Sequence, residues 1–158
     1  MSTSSQDYID VLNIVHKHFQ YSDIKDFASA RSLWADELTV DLGGIAPDIE
    51  GTVRADALAE SWERLIGSME LTQHMLTSHT VTVLDDDADV AFYLQALHYH
   101  PALGKREDVN TWTLYGRGEF HLQRTAGIWK ITSTRLASVH NTGNANMLAD
   151  IRSGRTQK

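Results

Sequence analysis

Apolar residues in the first part of the chain recur at helical spacing. Tyr8, Leu12, Val15 and Phe19 fall three or four positions apart, on one face of a helix that Ser4 or Ser5 is placed to cap. The run Tyr21-Ser-Asp-Ile-Lys-Asp-Phe interrupts that stripe. Asp23 is positioned to cap a second, short helix carrying Phe27, Ala30 and Leu33. Leu38-Thr-Val-Asp-Leu alternates and predicts a short strand, closed by Gly43-Gly44 and followed by a loop holding Pro47. Ala55, Leu58, Trp62, Leu65 and Ile66 then form a one-sided stripe on a third helix that ends near Gly67.

From Thr72 the period changes from that of a helix to that of a strand. Residues 72–84 are rich in β-branched side chains and end at the turn Asp85-Asp-Asp. Residues 88–100 form a second long strand with Val90, Phe92 and Leu94 on one face, and Pro101 opens a loop behind it. Residues 110–124 form a third, with Trp112, Leu114, Phe120 and Leu122 sharing parity. After the tight turn Thr125-Ala-Gly a fourth runs from Ile128 to about Val139. Short turns without a crossover helix require antiparallel pairing, so these strands form a meander. The expected class is α+β: N-terminal helices packed on a strongly curved antiparallel or mixed sheet, a cone enclosing a pocket with one open end. No repeat or linker divides the chain, so residues 1–158 read as one domain, with a polar flexible tail over about 142–158.

Composition narrows the chemistry. Fourteen Lys and Arg against 21 Asp and Glu leave a formal charge of −7, without the basic footprint of a nucleic-acid binder and unsuited to an anionic membrane surface. The first residues lack a basic segment followed by an apolar one, and no apolar run approaches the ~20 residues that span a bilayer, so a soluble cytoplasmic protein is expected. The absence of cysteine excludes disulfides, a thiolate nucleophile and cysteine-bound metals. Eight histidines are the one excess, and imidazole titrates near neutral pH.

Four groups of residues could carry chemistry, and each has a plainer structural reading. His98-Tyr-His100 places two imidazoles on one strand face, a spacing suited to a metal with a third ligand from His74, His79, Glu119 or His121; alone, the pair falls short of three ligands. His74 and His79 stand where the strand pattern begins, either as solvent-facing rings or with one turned inward as a general acid or base. Asp23, Asp26 and Asp41 are carboxylates beside helix breaks or in a strand; capping explains Asp23, and alternation turns Asp41 away from Val40 and Leu42. The aromatic residues Trp34, Trp62, Tyr93, Tyr99, Trp112, Tyr115 and Trp129 are core material first, a few of them able to line a pocket for a flat ligand. No Gly-x-Ser-x-Gly elbow or glycine-rich phosphate loop is present; Gly116-Arg-Gly lies within a strand.

Three strings carry a family resemblance: Tyr21-Ser-Asp-Ile-Lys-Asp-Phe, Thr72-Gln-His-Met, and Gly116-Arg-Gly-Glu-Phe-His-Leu running to Gly127-Ile-Trp-Lys-Ile. With the order of elements, they make roughly residues 5–141 resemble the SnoaL-like and scytalone dehydratase-like branch of the nuclear transport factor 2-like superfamily. Its members are cone-shaped and include polyketide cyclases, ketosteroid isomerase, scytalone dehydratase and bile-acid dehydratase. The resemblance implies a catalytic Asp at Asp23, a catalytic histidine at His74 and a second pocket histidine at His100. Tyr21, Trp34, Asp41, Trp62, Tyr93, His98 and Tyr115 are the expected substrate-binding positions. Ser22 and Leu42 stand where scytalone dehydratases have tyrosines, and Gly116 and Gly118 replace a polar pair, so substrate identity does not transfer.

The expected activity is a cofactor-independent dehydratase, isomerase or cyclase acting on a small hydrophobic hydroxy-carbonyl compound, polyketide- or steroid-like, with no metal. His100 or Tyr93 is expected to polarise the carbonyl. The alternatives are a non-catalytic binding or assembly module of the same fold and a metal enzyme built on His98 and His100. A homodimer or homotrimer is expected from the resemblance.

Overall fold

A computed structural model describes residues 5–155, so Ser4 as a helix cap lies outside the described residues. Helix α1 (Ser5–Asp23) turns Val11, Val15, His18, Phe19 and Ser22 inward. It runs on through Tyr21 and Ser22, so Asp23 is its last residue and does not cap the next helix. That role falls to Asp26, whose Oδ1 accepts the Ser29 backbone N–H at 3.0 Å at the start of α2 (Phe27–Ser32). Freed from capping, the Asp23 carboxylate reaches the sheet.

The sheet has six strands in the order β2-β1-β6-β5-β4-β3. Strand β1 (Trp34–Asp41) begins earlier than its alternation indicates. Strand β2 (Gly51–Arg54) folds back on it, Leu38 opposite Val53; four residues with a glycine and an arginine carry no readable period. Helix α3 (Ala55–Leu65) then leads to β3 (Leu71–Leu84) and β4 (Asp87–Tyr99). A single turn, α4 (Glu107–Asn110), precedes β5 (Thr111–Thr125) and β6 (Ile128–Gly143). Strands β3 to β6 are the expected antiparallel meander, while β1 lies parallel to β6, Val40 opposite Thr134, so the sheet is mixed.

Parity decides the two faces. Along β4 and β5, Val90, Phe92, Leu94, Ala96 and His98, with Trp112, Leu114, Phe120 and Leu122, face the interior and are buried. Phe19, Phe92 and Phe120 meet there at centroid distances of 5.4 to 5.7 Å. Gly118 lies opposite Phe92, and a Cβ at this glycine would sit 2.2 Å from the ring. The ring therefore fills the space that a side chain would occupy.

The C-terminal segment departs from the frayed tail read in the sequence. Helix α5 (Met147–Arg152) packs on α3 and buries Met147 and Leu148. Met147 and Leu148, with Ile151 packed against the core and Arg152 paired with Asp48, anchor it. Among the described residues no helix is long and apolar enough to cross a membrane.

Candidate active site

Asp23, at the end of α1, meets the start of β3. Its Oδ1 lies 2.7 Å from His74 Nδ1 and accepts the Thr72 hydroxyl at 2.9 Å, while Oδ2 accepts the His74 backbone N–H at 2.8 Å. Thr72 and His74 are two apart on a strand and so point to the same side, toward the helix end. Lys25 completes the group by donating to Thr72 Oγ1 at 3.0 Å.

Electrostatics keep the carboxylate charged. Burial alone would raise the Asp23 pKa, but hydrogen bonds from the His74 ring and backbone, the His74 charge and the Thr72 hydroxyl outweigh it and hold the group below its ordinary value. An ionised Asp23 only accepts, so the proton of neutral His74 sits on Nδ1 and Nε2 carries the free lone pair.

Two further histidines are buried beside this pair. His98 packs edge-on to His74 at 5.6 Å and stacks on Trp112 at 4.4 Å. Burial, then the His74 charge, push its pKa down to about 3, so it is neutral. Its Nδ1 lies 3.3 Å from the Trp112 carbonyl oxygen, which can only accept, so Nδ1 holds the proton and Nε2 is an acceptor. His18, on α1, is likewise pushed to about 3 by burial and then the His74 charge. Its Nδ1 accepts the Trp34 indole N–H at 2.9 Å, which places its proton on Nε2.

His74 and His98 line a small, partly open cavity of about 70 Å³ whose apolar wall includes Leu42, Ile45, Trp62, Leu94 and Leu148. Ligand pockets usually exceed about 300 Å³, so a ligand of ordinary size would fit here only by displacing part of that wall. Leu148, on the short helix α5, and Ile45, on the loop after β1, belong to its least extended elements.

The expected site residues separate into those brought together and those kept apart. Asp23, His74, His98 and Trp62 meet at or beside the cavity. His100 does not line it: β4 ends at Tyr99, and His100 leaves the strand to pair its backbone N–H with Asn110 and precede a short 3-10 turn. The alternation that would have aligned it with His98 stops one residue too soon. Tyr93 and Tyr115 have odd parity and project from the outer sheet face, 52% and 37% exposed, so neither polarises anything inside. Asp41 is exposed and ion-paired with Arg135 at 3.3 Å. Trp34 is core, its indole spent on His18. Tyr21 is half-buried at the end of α1, away from the cavity wall.

Among the described residues no group of three or more His, Asp or Glu is placed to share a metal ion. His79 instead packs against His16 with the rings tilted, centroids 4.6 Å apart, and His121 bonds Asp89 and Asp87 on the outer face. The sequence reading passed over Thr72 and Lys25. The same-face spacing of Thr72 and His74 is the one signal that could have found the threonine; Lys25 depends on how the helix ends.

The family model for the SnoaL-like domain matches residues 3–135. No curated protein matches the chain. Among solved structures, the Kfla4162 protein from Kribbella flavida shares 23% identity at a TM-score of 0.83, covering 93% of this chain and 99% of that one. A protein provisionally named scytalone dehydratase from Novosphingobium aromaticivorans shares 17% identity at 0.74, over 87% of each chain. Hexachlorocyclohexane dehydrochlorinase LinA-type3 from Novosphingobium barchaimii shares 14% identity at 0.73, over 89% of this chain and 91% of its own. At these identities the likeness is one of fold, an NTF2-like, cystatin-like cone. The family match runs from α1 through Asp23 and His74 into β6, and on it this chain belongs to the SnoaL-like domain family.

Proposed function

We propose that the protein is a cofactor-independent lyase that removes water from a small hydrophobic hydroxy-carbonyl compound, with isomerisation or cyclisation as variants of the same proton transfer. The observation that carries this reading is the 2.7 Å Asp23–His74 contact at the wall of an apolar cavity. His74 Nε2 takes the proton from the carbon next to the carbonyl, and the C–H electron pair becomes the new double bond. The resulting imidazolium returns that proton to the departing hydroxyl, which leaves as water. Asp23 stays ionised, fixes the tautomer and stabilises the imidazolium, as an orienting carboxylate does in a triad. His98, with Nε2 as an acceptor, suits holding the substrate hydroxyl by its hydrogen. The apolar wall strengthens each of these interactions by excluding water.

The test is a panel of apolar β-hydroxy ketones, followed by the ultraviolet absorbance of the enone formed. The wild type turns over at least one, and His74→Ala lowers kcat/KM by ~10²–10⁴-fold with the circular dichroism spectrum unchanged. Equal turnover by the variant removes His74 from the reaction. Saturable binding without turnover of any panel member favours the non-catalytic module.

A further inference from the structure

Helix α1 ends in a way that glycine usually serves. The Asp26 N–H bonds the Tyr21 carbonyl at 2.8 Å and the Lys25 N–H bonds the Ser22 carbonyl at 3.1 Å, the paired bonds of a Schellman motif. The residue at its left-handed position is Lys25, with φ 64°. Glycine adopts that conformation without strain, whereas a residue with a Cβ does so at a cost. A long charged side chain here works against the local backbone, so its value lies in what it reaches.

It reaches Thr72, which is 4% exposed, and through it the proposed working pair. The ammonium can only donate, so Thr72 Oγ1 receives that bond at 3.0 Å. The single hydroxyl hydrogen then points at Asp23 Oδ1, 2.9 Å away. The relay runs one way, from Lys25 through Thr72 to Asp23, and meets His74 from the other side. We propose that Lys25 is a positioning residue: by orienting the Thr72 hydroxyl it holds the Asp23 carboxylate toward His74 and sets the pH at which His74 takes up a proton. The role rests on the reading of Asp23 and His74 as the acid–base pair.

The charged and titratable groups facing His74 come from three directions. Asp23 and His18 face it from α1, Lys25 from the turn after that helix, and His98 from β4. Lys25 is itself half-buried, and its charge opposes protonation of His98. Burial lowers the Lys25 pKa from the ordinary lysine value and the Asp23 charge opposes that fall, so among these neighbours Lys25 is the cationic group, the buried imidazoles being neutral.

Nitrogen-15 histidine spectra of the full chain across a pH titration read this directly and require no substrate, so failure of the elimination reading leaves the test intact. The wild type shows His74 with its proton on Nδ1. Lys25→Gly and Lys25→Met raise the His74 titration midpoint by ~0.5–1 pH unit, because a Thr72 hydroxyl no longer fixed by the ammonium gives up its bond to Asp23 Oδ1 and leaves that oxygen to stabilise the imidazolium more strongly. Lys25→Arg keeps the wild-type midpoint. Lys25→Gly also melts no lower than the wild type, since glycine suits the left-handed position, which separates the relay from any role in ending the helix. In a Thr72→Val background, Lys25→Met moves the midpoint by much less than it does alone. A midpoint unmoved in both Lys25→Gly and Lys25→Met overturns the proposal. So does a full shift in the Thr72→Val background, which would make Lys25 a distant charge acting without the hydroxyl.

Discussion

Acidification should weaken the fold through histidines that are neutral only because they are buried. His18 is 8% exposed, with Nδ1 committed as an acceptor to the Trp34 indole. Protonating it would set two donors against each other in the core. Burial, helped by the His74 charge, lowers its pKa from 6.5 to about 3. The folded state therefore binds fewer protons than the unfolded chain between those values. Stability is complete above about pH 6.5 and falls as the pH drops toward 3, by about 1.4 kcal/mol per pH unit for one group. From about pH 6.5 to about 4.5 that comes to roughly 2–3 kcal/mol for His18. His98, also lowered to about 3, adds a loss of similar size and the same sign. Asp23 has a depressed pKa, so its contribution is present above the ordinary carboxylate value and is lost only at lower pH, outside this window. Urea denaturation followed by circular dichroism at several pH values, on wild type and His18→Gln, measures the effect. Glutamine offers the Trp34 N–H an acceptor and does not titrate, so the variant should show about half the wild-type loss. Parallel stability profiles for the two proteins, or a flat wild-type profile, would refute the reasoning.

Two further outcomes follow from packing. Gly118→Ala should destabilise by about 1–3 kcal/mol in urea titrations, because the added methyl falls within the Phe92 ring, which Phe19 and Phe120 confine; a neutral effect would mean that the aromatic cluster is loose. Leu148→Ala removes cavity wall supplied by α5 and should cost about 2–3 kcal/mol while increasing the uptake of an apolar fluorescent probe. Unchanged uptake would show that α5 does not gate the cavity.

The pattern along the chain was enough to determine the α+β class, the antiparallel meander and the inward parity of β4 and β5. Side chains of one strand alternate whatever the strand pairs with, so Val90, Phe92 and Leu94 fall on one face from period alone, and the structure adds His98 to it. The same parity already argued against Tyr93 and Tyr115 as pocket residues, because they alternate with Leu94 and Leu114. Their reading as pocket aromatics came from residue type alone.

What the sequence left open depends on contacts between distant segments. The sequence points to Asp23 as the cap of α2; where α1 stops, fixed by one Schellman motif, gives that role to Asp26 instead. The choice between His98 and His100 turned on where β4 releases its hydrogen bonds, since equal parity means nothing once a strand has ended. The parallel register of β1 on β6 and the docking of α5 are pairings that no local period encodes. Composition supplied eight histidines, all alike in the sequence. Only burial, which lowers one imidazole's pKa, and a carboxylate or indole at hydrogen-bond distance, which fixes another's tautomer, made them different from each other.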